Sequence, residues 1–528
     1  MERQIASPAP PPLSLLTSSF YALSGVTTSV VQRGLTTFLL LFYNQVVGLP
    51  PKTVATAIMI TLIFDAVIGP VIGQVSDTFR SPLGRRHPFM YFAAIPAALA
   101  FFALWNPPAL HGTGQMALYL IAALLAVRVF ETCFELPSSA LLPELTRNYN
   151  QRTGIIAYRT FVGAIAGALI VILAYQVFLK ENPDGSGGVL SRGGYFGYGL
   201  ASAALIFAFI LVSAAGTHSR IAYLSAVPKR RVGLLTAARE IIATLNNRSF
   251  VALTAAGTFC FIALGARGGL DIYFNIYFWG LTQTQLSLLV GISIVSSLAG
   301  AFIAPFIAAQ FGKRRAVIAV LMASVVLSVV PVALRLMGLM PANGTGALFA
   351  ILLVDMVVYN GISTIIGVLV ASMLADVVED AEVKTGRRSE GLLMSAENMF
   401  WKMVSGVGVF ISGLMLAIVA FPTHAARGAV PAGVLHNMGL IYVPAMMGIY
   451  LLTIACMWFY NIDRASHEAN LAALASLPEG EITGEEGLAP QLAAFVELDG
   501  KFEPAAGALK VQHGGHGAAQ RTRRRSSP

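Results

Sequence analysis

The chain has 528 residues, of which 56% are hydrophobic and 12% charged, about half the ~25% charged share of an ordinary soluble domain. Its mean hydropathy is +0.71 and its net charge +9. Apolar runs recur along the chain, each long enough to cross the ~30 Å hydrocarbon layer as a helix; this excludes a soluble globular protein and a β-barrel built of short alternating strands.

The first stretch, to about residue 18, is proline-rich and lacks a signal-peptide core, so it reads as a disordered tail. Twelve spans follow, at about 19–44, 53–77, 88–106, 116–142, 153–179, 195–216, 249–278, 283–309, 316–337, 346–377, 391–420 and 438–461, as ~20-residue helices require. The long loop at about 217–248 divides them six and six, which predicts an all-α membrane protein of two pseudo-symmetric six-helix bundles, at about 19–216 and 249–461. From about residue 462 the composition turns to Ala, Gly and Glu, which predicts a mostly disordered tail, with an amphipathic helix over about 465–476 as its one ordered candidate.

Loops after even-numbered spans carry Arg80, Arg85, Arg86, Arg147, Arg152, the central loop's arginines, Lys313, Arg314, Arg315, Lys384, Arg387 and Arg388. Loops after odd-numbered spans carry only a few basic residues, such as Lys52, Lys180, Arg192 and Arg427. This asymmetry sets both termini in the cytoplasm of a multi-pass protein of the bacterial inner membrane. It also accounts for the positive charge without a nucleic-acid partner. Cys133, Cys260 and Cys456 fall inside spans, far apart, as apolar filler. The histidines lie in loops, at span edges or in the tail, and no Walker loop is present, so haem binding, membrane acyl transfer and ATP-driven transport have no candidate residues.

Charges inside spans carry the functional signal, because each costs about 2.5–3.5 kcal/mol at a helix centre. The first half holds Arg33, Asp65, Arg128, Glu131, Glu135 and Arg159; the second holds Arg267, Asp271, Asp355, Glu397 and Lys402. Asp65 has no neutralising group in its own span, and either a carried cation or a salt bridge to Arg33 or Arg159 satisfies it. Arg128, Glu131 and Glu135 share one helix face. Two carboxylates one turn apart repel unless one takes a proton or a cation intervenes, while Arg128 and Glu131 alternatively form a fixed pair. Glu135 precedes Leu136-Pro137, where proline removes a backbone donor. Arg267 and Asp271, four residues apart, read as a structural pair.

The stretch from Gly73 to Arg86, with Asp77, Arg80, Arg85 and Arg86, resembles the loop signature of the major facilitator superfamily in the form used by glycoside–pentoside–hexuronide cation symporters. Tyr43-Asn44-Gln45-Val46-Val47-Gly48-Leu49 is similar to that family's end of helix I. Ala375 through Gly391, with Asp376 and Arg388, is similar to its loop between helices X and XI. The resemblance implies a cation-coupled carrier with no prosthetic cofactor, taking a small polar solute, a sugar above all, as a monomer in the bilayer. It places Asp65 at the first cation carboxylate, Glu135 at the helix IV acid that helps bind sugar, and Arg159 and Lys402 at the helix V and XI cations. Gly69 stands where the family has its second cation carboxylate, and Ser29 and Ser139 stand where it has two sugar contacts. Proton coupling is therefore favoured over sodium. Asp65, Glu131 and Glu135 are the expected coupling residues; Glu135, Arg159, Lys402, Ser29 and Ser139 the expected substrate residues; and Asp77, Arg80, Arg85, Arg86, Asp376 and Arg388 the expected gate. A lysolipid carrier of the same fold and a transporter-like sensor are the competing readings.

Overall fold

The computed structural model describes residues 13–110, 112–146, 148–181, 187–221, 248–385 and 390–462, with residues 466 and 469 beyond them. The central-loop expectation falls mostly outside this set, as do those for the C-terminal tail with its short helix, Arg388 and the side chain of Lys402.

Twelve long helices run through the described residues. The first, α1, is broken into Leu15–Ala22, Ser24–Thr37 and Leu39–Leu41, and ends in a π-turn at Phe42–Val46. Then come α2 (Pro51–Thr78), α3 (His87–Trp105), α4 (Thr113–Leu145), α5 (Tyr149–Leu173, with a π-turn at Ala174–Phe178) and α6 (Arg192–His218). The second set is α7 (Arg248–Tyr273, with a π-turn at Phe274–Phe278), α8 (Gln283–Phe311), α9 (Lys313–Leu336), α10 (Gly346–Thr385), α11 (Glu390–Ile418) and α12 (Ala432–Met457). Ten are long and apolar enough to span a membrane. Of the other two, α11 contributes a shorter apolar helix, Met403–Ile418, and α1 is segmented. The described residues form no sheet, only an isolated bridge between Glu181 and Gly187. One expectation needs correction: the tail does not reach residue 18. The Ser14 hydroxyl accepts the Thr17 amide at 3.1 Å and starts a helix four residues earlier, the N-cap satisfying a donor that hydrocarbon would leave orphaned.

The two sets repeat one design. The π-turns closing α1 and α7 begin at Phe42 and Phe274, and both are followed by a glycine with positive φ, Gly48 (91°) and Gly280 (65°). Leu49 N donates to Tyr43 O and Leu281 N to Asn275 O, each at 2.8 Å. The shift between these turns is 232 residues (280 − 48), and it also carries the start of α2 at Pro51 onto that of α8 at Gln283. On the basic side, Glu144 at the end of α4 binds Arg85 and Arg86 of the loop before α3, and Asp376, 232 residues on (376 − 144), binds Lys313, the first residue of α9.

Within the first set α3 packs on α4 and α6, α1 on α5 and α6, and α2 on α4. Within the second, α7 packs on α11 and α12, α8 on α10, and α9 on α10 and α12. Between the sets the main contacts are α2 with α11 and α5 with α8. Lipid tails give no hydrophobic drive between helices, so close backbone approach through small residues does that work. Where α7 meets α11, a Cβ on Gly408 would fall on Ile262 O and lie 2.8 Å from Ala266 N, backbone atoms that cannot swing aside.

Gly408→Val is therefore expected to cost about 1–3 kcal/mol by overpacking and to lower the Tm of the purified protein. Gly448→Val, where nothing lies within 4 Å of the added Cβ, leaves it within a degree or so; scanning fluorimetry in detergent compares the two.

Candidate functional site

Three helices of the first set converge on buried charge. Asp65 of α2 is buried, and Thr132 of α4 donates its hydroxyl to Asp65 Oδ1 at 2.7 Å. One residue before Thr132, Glu131 is buried too, held by Arg128 Nη1 to Oε2 at 3.4 Å and by Gln32 Nε2 of α1 to Oε1 at 3.4 Å. The α4 periodicity explains this grouping: Arg128, Glu131, Thr132 and Glu135 lie one turn apart along one face. Arg128 and Glu131 thus form the fixed pair that their spacing allows. The salt bridge from Asp65 to Arg33 or Arg159 is not formed. Arg159 lies instead with its guanidinium 5.8 Å from the centre of the Tyr21 ring, a cation–π arrangement. Gln32 and Thr132 were not anticipated, because an uncharged polar residue on a helix gives no signal until its neighbour across the bundle is known.

The expected substrate residues divide. Glu135 lies half-buried one turn beyond Thr132, on the same face as the carboxylate pair. Ser139, one turn further, spends its hydroxyl on Leu136 O at 3.0 Å, the helix's own backbone beside Pro137. Ser29 lies where α1 crosses α5: a Cβ on Gly163 would come within 2.7 Å of its hydroxyl oxygen.

On the basic side, the loop signature closes on its own half. Arg86 reaches Glu144 at 2.6 Å and Asp77 at 3.5 Å, and Arg85 also binds Glu144. Arg80 is exposed. Glu144 is the centre of this network, and its sequence signal was weak because it stands as one acid at the end of a long apolar helix. Lys313 binds both oxygens of Asp376 at 2.6 and 2.7 Å in the other half.

On the opposite side the halves are stitched together. Tyr273 of α7 donates to Asn44 Oδ1 at 2.9 Å. Gln45 donates to Pro422 O at 2.9 Å and accepts from the Ala425 amide at 2.9 Å. Arg427 pairs with Glu181 at 3.4 Å, and Gln176 of α5 bonds Ser287 of α8. The Tyr43-Asn44-Gln45 stretch is thus part of a seal. Toward the basic side α5 and α8 part: Ile172 still touches the Gly291 position, but nothing approaches Gly154, and Phe302 and Phe306 are 75% exposed. The halves are thus joined at the loops after odd-numbered helices, and among the described residues α5 and α8 diverge from there.

A family model described as "MFS/sugar transport protein" matches residues 20–464. The isoprimeverose transporter of Lactiplantibacillus pentosus is 26% identical over 87% of this chain and 93% of its own. The sodium-dependent lysophosphatidylcholine symporter 1 of Gallus gallus is 25% identical over 92% and 93%. In fold, the chain is similar to the nucleoside transporter NupG, in its D323A mutant, with TM-score 0.56 and 17% identity over 84% of this chain and all of that one. It is also similar to the xylose transporter XylE from E. coli, with TM-score 0.54 and 12% identity over 87% and 98%.

Glu144→Gln leaves two buried guanidiniums facing an uncharged amide, whereas Asp77 is 56% exposed. Breaking a buried pair is far costlier than losing a surface one, about 3–5 against 0–1 kcal/mol. Glu144→Gln is expected to lower Tm by several degrees more than Asp77→Asn, measured side by side.

Proposed function

Since the chain belongs to the MFS/sugar transport protein family, and is accordingly a membrane transporter and not an enzyme, we propose that it is a cation-coupled symporter of a glycoside or related small polar solute. The observation that carries this reading is the buried Asp65–Thr132 contact beside the Arg128–Glu131 pair, on α2 and α4 of a two-set helical bundle. A buried carboxylate is an economical place to load and unload a cation, since its charge is the costly quantity in hydrocarbon. The positive-inside bias makes the basic side cytoplasmic, and the divergence of α5 and α8 toward that side supports an inward-open wedge between the halves in the cytoplasmic membrane. A proton is the favoured coupling ion: Gly69, one turn from Asp65, offers no second carboxylate for sodium.

In the proposed cycle the two halves, about 19–216 and 249–461, rock about the bound solute. Loading Asp65, with Glu131 and Glu135 sharing the charge of the site, removes the electrostatic cost of closing the wedge. Glu135 and Arg159 supply hydrogen-bonding groups to the solute; Lys402, Ser29 and Ser139 complete the proposed set. The seal through Gln45 then opens, while the networks around Asp77, Arg80, Arg85 and Arg86, and around Asp376 with Arg388, trade partners on the other side. Carriage of a lysolipid is the second reading, favoured by the similarity to the chicken symporter and by the exposed apolar residues of α8, which give an alkyl chain a surface to follow.

In proteoliposomes offered a panel of pentosides and hexosides alongside lysophosphatidylcholine, the wild type is expected to concentrate one glycoside when the outside is acidified. Asp65→Asn should keep exchange of that solute and lose its accumulation; accumulation by Asp65→Asn defeats the coupling assignment, and uptake of the lysolipid alone selects the second reading. Gln45→Ala, which removes two bonds of the seal, should raise the labelling rate of a cysteine placed at Ala425 at least several-fold from the non-basic side.

A further inference from the structure

The second half holds a charged cavity that the coupling scheme above leaves unused. It lies inside the bundle of α7, α8, α9, α10 and α12, and Arg267, Asp271, Asn275, Ser328, Asp355 and Tyr442 are in its wall. Its volume is about 70 Å³, room for two or three waters at ~30 Å³ each and far below the roughly 300–1,000 Å³ of sites that enclose organic ligands. Arg267 lies 3.4 Å from the centre of the Tyr359 ring and donates to Ser328 Oγ at 2.8 Å. Contrary to its i, i+4 spacing, it forms no ion pair with Asp271, which instead accepts from Asn275 Nδ2 at 3.1 Å. Among the described residues Asp355 has neither a hydrogen bond nor an ion pair, and its carboxylate is open to the cavity. It stands nine residues into α10, about 14 Å from the helix start, well inside the hydrocarbon depth.

The 232-residue repeat makes this cluster informative. Arg267, Asp271 and Asp355 correspond to Leu35, Leu39 and Ala123 of the first half, all three buried. The same scaffold therefore packs with apolar residues at these positions, and the architecture does not require charge there. Conversely, Arg128, Glu131 and Thr132 correspond to Asn360, Ser363 and Thr364, so the two charged clusters are not copies of each other. One guanidinium against two carboxylates leaves one negative charge in excess, at a depth where a charge costs about 2.5–3.5 kcal/mol.

We propose that Asp355, facing Asp271 beside the fixed charge of Arg267, is a proton-binding site in the second half, separate from Asp65. Protonation converts the Asp355 carboxylate to the neutral acid and brings the cluster to zero net charge. A metal ion is a poor fit, because the guanidinium held over Tyr359 repels it and the cavity offers few neutral oxygens. The charged and titratable groups around Asp355 are Arg267 and Asp271 on α7, Tyr359 on its own helix, Tyr442 and Tyr450 on α12, and Tyr175 of α5 near Asp271. Neither α8 nor α9 contributes one to the cavity wall. If the chain couples transport to protons, as proposed above, this site adds a second proton to the cycle, but the binding itself rests only on the cavity.

Infrared difference spectra of the full-length protein in liposomes, taken between alkaline and acid buffer, read this without any solute. The wild type should gain protonated-carboxyl intensity of which Asp355→Asn loses one carboxyl's worth; the component so lost should persist in Asp65→Asn, and Asp355→Glu should keep it at a shifted frequency. Arg267→Gln removes a cation that favours the ionised form, so its band should appear at a pH at least one unit higher, a tenfold change in proton affinity. A band unchanged by Asp355→Asn, an Arg267→Gln midpoint that stays or falls, or suppression of the band by sodium at fixed pH each overturns the proposal. Failure of any sugar to be carried would leave it untouched.

Discussion

A carboxylate buried in a bilayer must be neutralised by a neighbour, a proton or an ion, and the arrangement of this molecule follows from how that demand is met. In the first half Glu131 meets it permanently, through Arg128 and Gln32. Asp65, one residue's contact away, has Thr132 as its hydrogen-bond donor. Thr132 adjoins Glu131 on α4, so one stretch of that helix serves both acids.

The repeat shows how a duplicated frame carries two different electrostatic designs. The π-turns before Gly48 and Gly280, and the Glu144 and Asp376 networks, recur because both halves need the same helix ends and the same anchoring at the basic face. The buried polar clusters differ. One half has charges on α4 where the other has Asn360 and Ser363, and the other has charges on α7 and α10 where the first has leucine and alanine. What recurs serves the fold, and what differs is free to serve transport. The seal on the non-basic side belongs to neither half alone, since Gln45 and Asn44 find their partners in Pro422, Ala425 and Tyr273.

Much of this could be read from the residues in order. Apolar length gave all twelve spans, most of their ends to within a few residues, because spanning a membrane demands an unbroken run and hydrocarbon forbids exposed backbone. The far end of α10, which runs on to Thr385, and the capped start at Ser14 were harder, since polar residues carry both helices beyond the apolar run. The one-face alignment of Arg128, Glu131 and Glu135 was legible because helical periodicity is local. Reading Arg267 and Asp271 as a pair failed for the opposite reason. Spacing brings two side chains to one face, but Tyr359, Ser328 and Asn275, from other turns and other helices, compete for them.

Composition and periodicity by themselves thus determined that the chain is a membrane bundle of twelve helices in two related sets, which residues sit at costly depth, and which loops are basic. Those properties are set by solvent transfer and by the pitch of a helix, and neither needs a partner. Tertiary structure alone decided that Thr132 holds Asp65, that Glu144 gathers both arginines of the loop signature, that the helix I stretch seals one end, and that Asp355 faces a small cavity beside a guanidinium held elsewhere. Each is a contact between residues tens or hundreds of positions apart, and its energy depends on which helices happen to be neighbours, a quantity no local pattern contains.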